Sequence, residues 1–431
     1  VFNLNHSNFL NMSANNRTRV ISQSKAVYIA PTGWTFNGSN TTVEAAQLHG
    51  VDTLSFEMDL AGSRQDVREF GQLARIGTVR MSEINPTLSF GYYLQDGANE
   101  LGLGFTHSAG TSQCIAGMLN EDPTKKESNL FVLTATEGDD AFGYNTGTAA
   151  QQADAFEAAR PNHDLIGFGN AFVSSYSVNM SVGEIPRADV EMQASNVVFY
   201  QDIHSGIVPP SLNLDGSRAK PDDLDANIKF PIPTVCDDLA GGLKVLKPHD
   251  VTIAFSSNQG VTSGPNETGI GGQSFTTTIN AVQSCSIDLP LSREIIDAIG
   301  SQLAYAKPLE FPIDVTLSIS ALVSQFGQGA LENALTGTAG DRTTTITVTL
   351  KNASNVNEMV FTLKGAVLDS QSFSQGLDDN ETVDLTFSAQ IGGATTTDQG
   401  LFMTLAGTDP RPTQAAFDVA NQAGQPIGPI T

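Results

Sequence analysis

The sequence is poor in basic residues, and this limits which partners it can bind. It has 22 Lys and Arg residues against 46 Asp and Glu residues, which gives a formal net charge of −24. Binding to nucleic-acid phosphates depends on clustered Lys and Arg, so a protein that grips DNA is not expected. The charge favours solubility and repels polyanions, although a generic acidic surface from a salty habitat explains it equally well.

Cysteine and long apolar runs are also scarce. Cys114, Cys236 and Cys285 are too few and too scattered for a disulfide framework. Cys285 begins an apolar run and is predicted to be a buried thiol. No stretch approaches the roughly 20 consecutive apolar residues of a membrane helix. Residues 1–20 have no basic segment followed by an apolar core, so no signal peptide is predicted.

The sequence contains no recognisable catalytic or cofactor motif. Its six histidines are isolated, and it has no Cys-x-x-Cys pair, phosphate-binding Gly-Lys-Ser/Thr loop or Gly-x-Ser-x-Gly elbow. Residues 222–227 are similar to part of a calcium loop but lack its sixth-position glycine and twelfth-position glutamate. We therefore predict no catalytic residues, no metal site and no cofactor, and the chain is not expected to be an enzyme.

An internal repeat is the strongest signal in the sequence. Residues 51–60 align with residues 282–291 at an offset of 231, and residues 63–94 align with residues 292–323 at an offset of 229. Ten of these 42 paired positions are identical. A second block, residues 171–194, aligns without a gap with residues 366–389 and keeps its apolar positions in phase. Two blocks in the same order predict a duplicated domain.

The repeat divides the chain into five predicted segments. Between the shared blocks the first copy is longer than the second and contains polar, loop-like stretches. The segments are an N-terminal arm (1–21), copy 1 (22–205, with a long insertion at 95–165), a linker (206–244), copy 2 (245–395) and a C-terminal arm (396–431).

Each copy is predicted to be mainly β with one helix. Apolar and polar residues alternate over residues 313–320, 345–350 and 384–388, as in half-buried strands. A helix is predicted from Ser292, which would cap it, and the counterpart helix would begin at Ser63. The residues predicted to face inward are Val67, Phe70 and either Leu73 or Ala74 on the first helix, and Ile295, Ile296, Ile299 and Leu303 on the second. We predict two tandem antiparallel β-barrels or sandwiches, each with one flanking α-helix.

Two segments of the repeat resemble phage tail tube proteins. They are residues 175–194, Ser-Tyr-Ser-Val-Asn-Met-Ser-Val-Gly-Glu-Ile-Pro-Arg-Ala-Asp-Val-Glu-Met-Gln-Ala, and residues 286–294, which begin Ser-Ile-Asp-Leu-Pro-Leu. The resemblance implies a barrel-like β fold with a flanking helix and subunits that stack as rings around a DNA channel. The duplication is similar to the family variant with two fused tube domains, which implies three chains per pseudo-sixfold ring.

The resemblance also implies a function, partners and a location. The chain would be a structural virion protein of the tail, made in the host cytoplasm, with an acidic or polar channel lining that lets DNA slide. Its partners would be itself, the tape measure, tail terminator and baseplate proteins, a sheath if the tail is contractile, and passing DNA without specific binding. A baseplate hub or distal tail ring of the same fold is one alternative. A secreted β-rich binding module or adhesin is another, disfavoured by the missing signal peptide.

Overall fold

The computed structural model describes sixteen segments of the chain. The N-terminal arm, Cys236 and residues 222–227, similar to a calcium loop, lie outside the described residues. The described segments are 25–32, 46–59, 64–81, 83–108, 110–120, 126–134, 164–200, 210–212, 245–257, 282–297, 299, 304, 306–322, 343–352, 354–374 and 382–408. None of the helices in these segments is long and apolar enough to cross a membrane.

The described residues form seventeen β-strands and two short α-helices. In the N-terminal half these are β1 (Lys25–Pro31), β2 (Ala46–Gln47), β3 (Val51–Glu57), β4 (Arg64–Val67), β5 (Gly77–Arg80), β6 (Thr87–Tyr93), α1 (Ala98–Gly102), α2 (Ala116–Leu119), β7 (Ser128–Thr134), β8 (Asp164–Ser181), β9 (Arg187–Gln193) and β10 (Asn196–Tyr200). In the C-terminal half they are β11 (Val251–Ser257), β12 (Val282–Pro290), β13 (Asp314–Leu322), β14 (Thr344–Lys351), β15 (Asn357–Ser374), β16 (Thr382–Gln390) and β17 (Gly400–Leu405). The chain is mainly β, and the strands predicted at 313–320, 345–350 and 384–388 are confirmed as parts of β13, β14 and β16.

The two halves have the same strand order. In the N-terminal half the order is β1-β7-β8-β9-β6-β3, and β10 adds to β8. In the C-terminal half it is β11-β14-β15-β16-β13-β12, and β17 adds to β15. All these pairings are antiparallel. In each half, one long strand therefore belongs to two packed layers.

The long strands bend at equivalent points. Asn170 on β8 has φ 50° and Gly365 on β15 has φ 68°, a left-handed conformation that Asn and Gly tolerate best. A β-bulge follows each one, between Val173 and Ser175 on β8 and between Leu368 and Ser370 on β15. A bulge bends and twists a strand. The two bend points are separated by 195 residues, the offset of the second sequence repeat.

One apolar core runs through both halves. Alternate residues of β9, β13 and β16 point into it, as the period of two requires. Tyr176 and Phe387 are fully buried, and Cys285 is buried as predicted, with the pKa of its thiol raised by burial to about 12. At about 25 cal/mol per Å² of apolar surface, such a core supplies most of the favourable free energy of folding.

The two predicted flanking helices are wrong. Residues 64–80 form an antiparallel hairpin of β4 and β5 instead, with Arg64 opposite Arg80. The aligned segment also starts as a hairpin, because Arg293 bridges Leu309 and Ile296 bridges Ala306. Phe70, predicted to face inward, is fully exposed. An apolar spacing of three or four over so short a segment does not separate a helix from a hairpin whose apolar side chains lie outside the core.

Residues 98–119 lie inside the predicted insertion and pack against the C-terminal half. We call them the clasp. Between α1 and α2 they lie along β17, where the Cys114 amide donates to the Leu401 carbonyl at 2.9 Å and the Ser108 amide to the Met403 carbonyl at 2.8 Å. The Leu405 amide donates to Nδ1 of His107 at 2.8 Å. β17 lies beyond residue 395, where the predicted C-terminal arm begins, so residues 400–405 are part of the sheet.

Candidate functional site

A single eight-stranded sheet spans both halves of the molecule. Its strand order is β3-β6-β9-β8-β12-β13-β16-β15. β8 joins the halves by pairing with β12, with Ser175 opposite Pro290 at one end and Ser181 opposite Ser284 at the other. One row of directly opposed residues crosses seven of the strands: Thr53, Gly91, Asp189, Ser177, Asp288, Thr316 and Ser388. We call the face that carries this row the polar face.

The polar face consists mainly of small hydroxyl and acidic side chains. Because side chains alternate along a strand, every second residue shares the face of the row just described. Its carboxylates are Glu57, Asp189, Glu191, Asp288, Asp314 and Asp384, and its serines and threonines include Ser55, Ser89, Ser175, Ser177, Ser286, Thr316, Ser318, Ser320, Thr386 and Ser388. A surface of this kind is hydrated and negative, and it repels phosphates.

The one guanidinium on the described part of this face is neutralised locally. Nη2 of Arg187 lies 2.9 Å from Oδ1 of Asp189 and 3.4 Å from Oδ1 of Asp52. Gly91 gives the pair room, because a Cβ there would lie 2.2 Å from Nη2 of Arg187. Arg187 is therefore held by carboxylates of its own chain.

In the C-terminal half, partial burial raises the pKa of the Asp288 carboxyl on the same face.

The opposite face is apolar and forms the core. Val178, Ile287, Leu317 and Phe387 are directly opposed on β8, β12, β13 and β16, and all are at most 2% exposed. The row passes from one half to the other without a break. The junction between the halves is thus built as the interior of a domain is built.

A buried ion pair closes the base of this junction. Nζ of Lys307 lies 3.3 Å from Oε2 of Glu83, and their side chains are 9% and 2% exposed. Nζ also donates to Oδ1 of Asn85 at 2.9 Å and to Oγ of Ser195 at 2.8 Å. These bonds join Lys307, which belongs to the C-terminal half, to three residues of the N-terminal half. A pair so well hydrogen-bonded fixes their relative position, and it costs much to break.

The guanidinium of Arg293 lies beside this ion pair. It stacks 4.4 Å from the ring centre of Phe172, and Nζ of Lys307 lies 5.5 Å from the same centre. Burial lowers the pKa of Arg293 to about 10. Cations over an aromatic face are stabilised by its quadrupole. The C-terminal half therefore docks with two cations on one ring of the N-terminal half.

A buried carboxyl group lies beneath the sheet without access to solvent. Oε1 of Glu100 accepts hydrogen bonds from the hydroxyls of Tyr92 at 2.8 Å and Tyr176 at 3.0 Å. Burial is the main cause that raises the pKa of Glu100. Because Glu100 is only 1% exposed, a substrate cannot reach it. The cluster anchors α1 to the sheet.

The hairpin of β4 and β5 presents apolar side chains to solvent. Phe70 and Leu73, near the tip, are fully exposed, and Gly71 makes the turn with φ 98°. The other exposed apolar residues of the segment are Val67, Ile76, Val79 and Met81, and the aligned segment of the C-terminal half also exposes Ile295, Ile296 and Ile299. Contiguous exposed apolar groups mark contact surfaces. We call residues 64–81 the N-terminal hairpin.

No group of three or more His, Cys, Asp or Glu side chains in the described segments is arranged to bind a metal. The sequence predicted no catalytic, metal or cofactor residues, so there is no predicted site residue to locate in the structure. It did not identify the polar face or the exposed hairpin. The alternation of Ser and Thr with apolar residues was the available signal for the first, and Gly71 within the predicted helix was the signal for the second.

Comparison with known proteins finds similarity among solved structures only. No family model matches the sequence, and no curated protein matches it. One similar structure is the anti-feeding prophage baseplate, 6-fold symmetrised, with 12% identity over 37% of this chain and 94% of that chain and a TM-score of 0.25. The SPP1 tail tube has 12% identity over 41% of this chain and 86% of that chain, with a TM-score of 0.25. An Hcp protein has 13% identity over 36% and 98%, with a TM-score of 0.20.

Proposed function

We propose that this chain is a structural subunit of a phage-type tail tube and that its polar face lines the channel. The observation that carries the proposal is the eight-stranded sheet, which crosses both halves with one apolar face and one hydrated acidic face. Closing such a sheet with further copies would give a barrel whose interior is polar. A lining of hydroxyls and carboxylates would not grip DNA phosphates.

We also propose that the two halves are duplicated domains, so that three chains make a pseudo-sixfold ring. The shared strand order and the equivalent bends at Asn170 and Gly365 support the duplication. The domains would span residues 22–205 and 245–408, the second extended to include β17. The N-terminal and C-terminal arms would contact neighbouring rings. Tape measure, terminator and baseplate proteins would bind at the ends of the tube, with a sheath outside it in a contractile tail.

Electron microscopy of the purified full-length chain tests the proposal. We expect hollow tubes or stacked rings with threefold or pseudo-sixfold end views as the concentration rises. Single rings that never stack would favour the alternative of a hub or distal tail ring. A monomer that stays dispersed at every concentration and with tail extracts would overturn both and favour a secreted binding module.

The charge of the polar face predicts how an assembled tube treats DNA. We expect tubes of the triple variant Glu191→Lys, Asp288→Lys, Asp384→Lys to retain double-stranded DNA at low salt and release it at high salt, because each lysine can replace phosphate counterions. Wild-type tubes should retain none. Co-sedimentation of labelled DNA across a salt series measures this. The matched control is Glu191→Gln, Asp288→Asn, Asp384→Asn, which removes the same carboxylates without adding cations and should retain little DNA.

A further inference from the structure

Two equivalent strands differ in how much of their apolar face is covered. Ile287 on β12 is 2% exposed, whereas Phe56 on β3, its counterpart in the repeat, is 44% exposed. β12 has a partner on each side, β13 and β8. Among the described strands β3 pairs with β6 alone. The N-terminal half therefore has an open sheet edge where the C-terminal half has an interface.

A complementary edge is open in the C-terminal half. Residues 175–181 of β8 pair with β9 on one side and with β12 on the other. The aligned residues 370–374 of β15 pair with β16, and no other described strand pairs with them. Within the chain, β12 pairs with β8. The counterparts of these two strands, β3 and residues 370–374 of β15, are each left with an open edge among the described strands.

We infer that β3 of one chain pairs antiparallel with residues 370–374 of β15 in a second copy of this chain, in the register that β12 and β8 adopt within the chain. Applying the two repeat offsets to the opposed pair Asp288 and Ser177 gives Glu57 opposite Ser372. Both side chains are exposed in the single chain. The inference deepens the proposed function, on which it rests, by naming the contact that joins chains within a ring.

A second position on the same side of the N-terminal half supports this occupant. Met403 on β17 is fully buried, and its carbonyl accepts the amide of Ser108 in the clasp at 2.8 Å. Phe199 on β10 lies opposite Ile166, and Met403 lies opposite Phe361. Because Ile166 and Phe361 are separated by the repeat offset of 195, Phe199 is the counterpart of Met403. Phe199 is 50% exposed. Phe199 and Phe56 are therefore both apolar side chains left open on the N-terminal half.

Charge complementarity favours the same arrangement. Within the chain, Arg293 and Lys307 lie on Phe172, and Lys307 donates to Asn85. The repeat places Arg64 at the position of Arg293 and Asp314 at that of Asn85. Both Arg64 and Asp314 are exposed in the single chain. Across the proposed contact Arg64 would take the place of Arg293, and Thr78 would take the place of Lys307 next to Asp314. The junction would thus have one cation on one chain and one carboxylate on the other, and opposite charges of this kind steer association.

Disulfide cross-linking tests the register on the full chain in a Cys236→Ser background, which leaves the buried Cys114 and Cys285 as the only native thiols. We expect the double variant Glu57→Cys, Ser372→Cys to form intermolecular disulfides on mild oxidation, ending in a closed species of few chains on a non-reducing gel. Mixing the two single variants should give dimers only. The matched control, Glu57→Cys with Ser370→Cys, shifts one partner by two residues, beyond the Cα separation of about 7 Å that a disulfide spans. It should cross-link at least tenfold more slowly.

The outcomes separate the inference from the proposed function. Tubes in which the 57–372 pair cross-links no faster than the 57–370 pair would overturn this contact and leave the tube function standing. A chain that forms neither tubes nor cross-links at any concentration would overturn the function itself. Rapid cross-linking of the 57–372 pair, within tubes or within isolated rings, supports the contact.

Discussion

Lys307→Met is expected to lower the free energy of unfolding by about 3–5 kcal/mol. The methionine retains the length and apolar character of the side chain but removes the cation that Glu83 meets at 3.3 Å. It also removes the hydrogen bonds to Asn85 and Ser195. Urea denaturation at neutral pH, followed by circular dichroism, measures the change. These contacts connect the two halves, since they join residues 222 and 112 positions apart in the sequence.

A double variant distinguishes a broken ion pair from a badly filled space. If the cost comes from a buried carboxylate without its cation, Lys307→Met with Glu83→Gln should recover more than half of the lost stability, since the charge is gone from both sides. Glu83→Gln retains an acceptor for the Ala304 amide, which donates to Oε2 at 3.0 Å. Equal loss in the single and double variants would instead assign the effect to packing around Phe172.

Local patterns predicted the strands, but they did not predict which strands meet. The alternation of Thr, Leu, Ser and Ile over residues 313–320 predicts a half-buried strand without reference to its neighbours. The pairing of β8 with β12 joins segments about 100 residues apart. Its register depends on the whole core. The polar face could be seen only once both halves were in place.

The failed helix prediction has a physical cause that bears on function. Val67, Phe70 and Leu73 have a spacing that would fit one face of a helix, and such a face normally packs on the core. In the structure the same residues lie on an exposed hairpin with Gly71 at its turn. The apolar pattern was therefore genuine. In the described part of the chain nothing covers these residues, and we propose that a neighbouring copy does, which one sequence cannot indicate.

The pair Phe70→Ser and Leu73→Ser is expected to stop rings from stacking while leaving rings intact. The N-terminal hairpin connects β3 to β6 and so projects from the ends of the strands, where a neighbouring ring would lie, whereas lateral pairing uses the strand edges. Burying a Phe and a Leu is worth about 3–6 kcal/mol in total. Losing 3 kcal/mol should raise the concentration needed for tubes by about 100-fold. Electron microscopy and sedimentation across concentrations measure this threshold.

Two control variants tie that result to the hairpin. Val356→Ser removes an apolar side chain that is 54% exposed on a turn of the C-terminal half, and it should leave the threshold for tubes unchanged. Replacing residues 68–75 by Asn-Gly closes the hairpin at the point where the Ile76 amide donates to the Val67 carbonyl at 2.9 Å, with a turn suited to two residues. It should give rings that do not stack. If this shortened chain forms tubes as readily as the wild type, the exposed apolar tip serves some contact other than stacking.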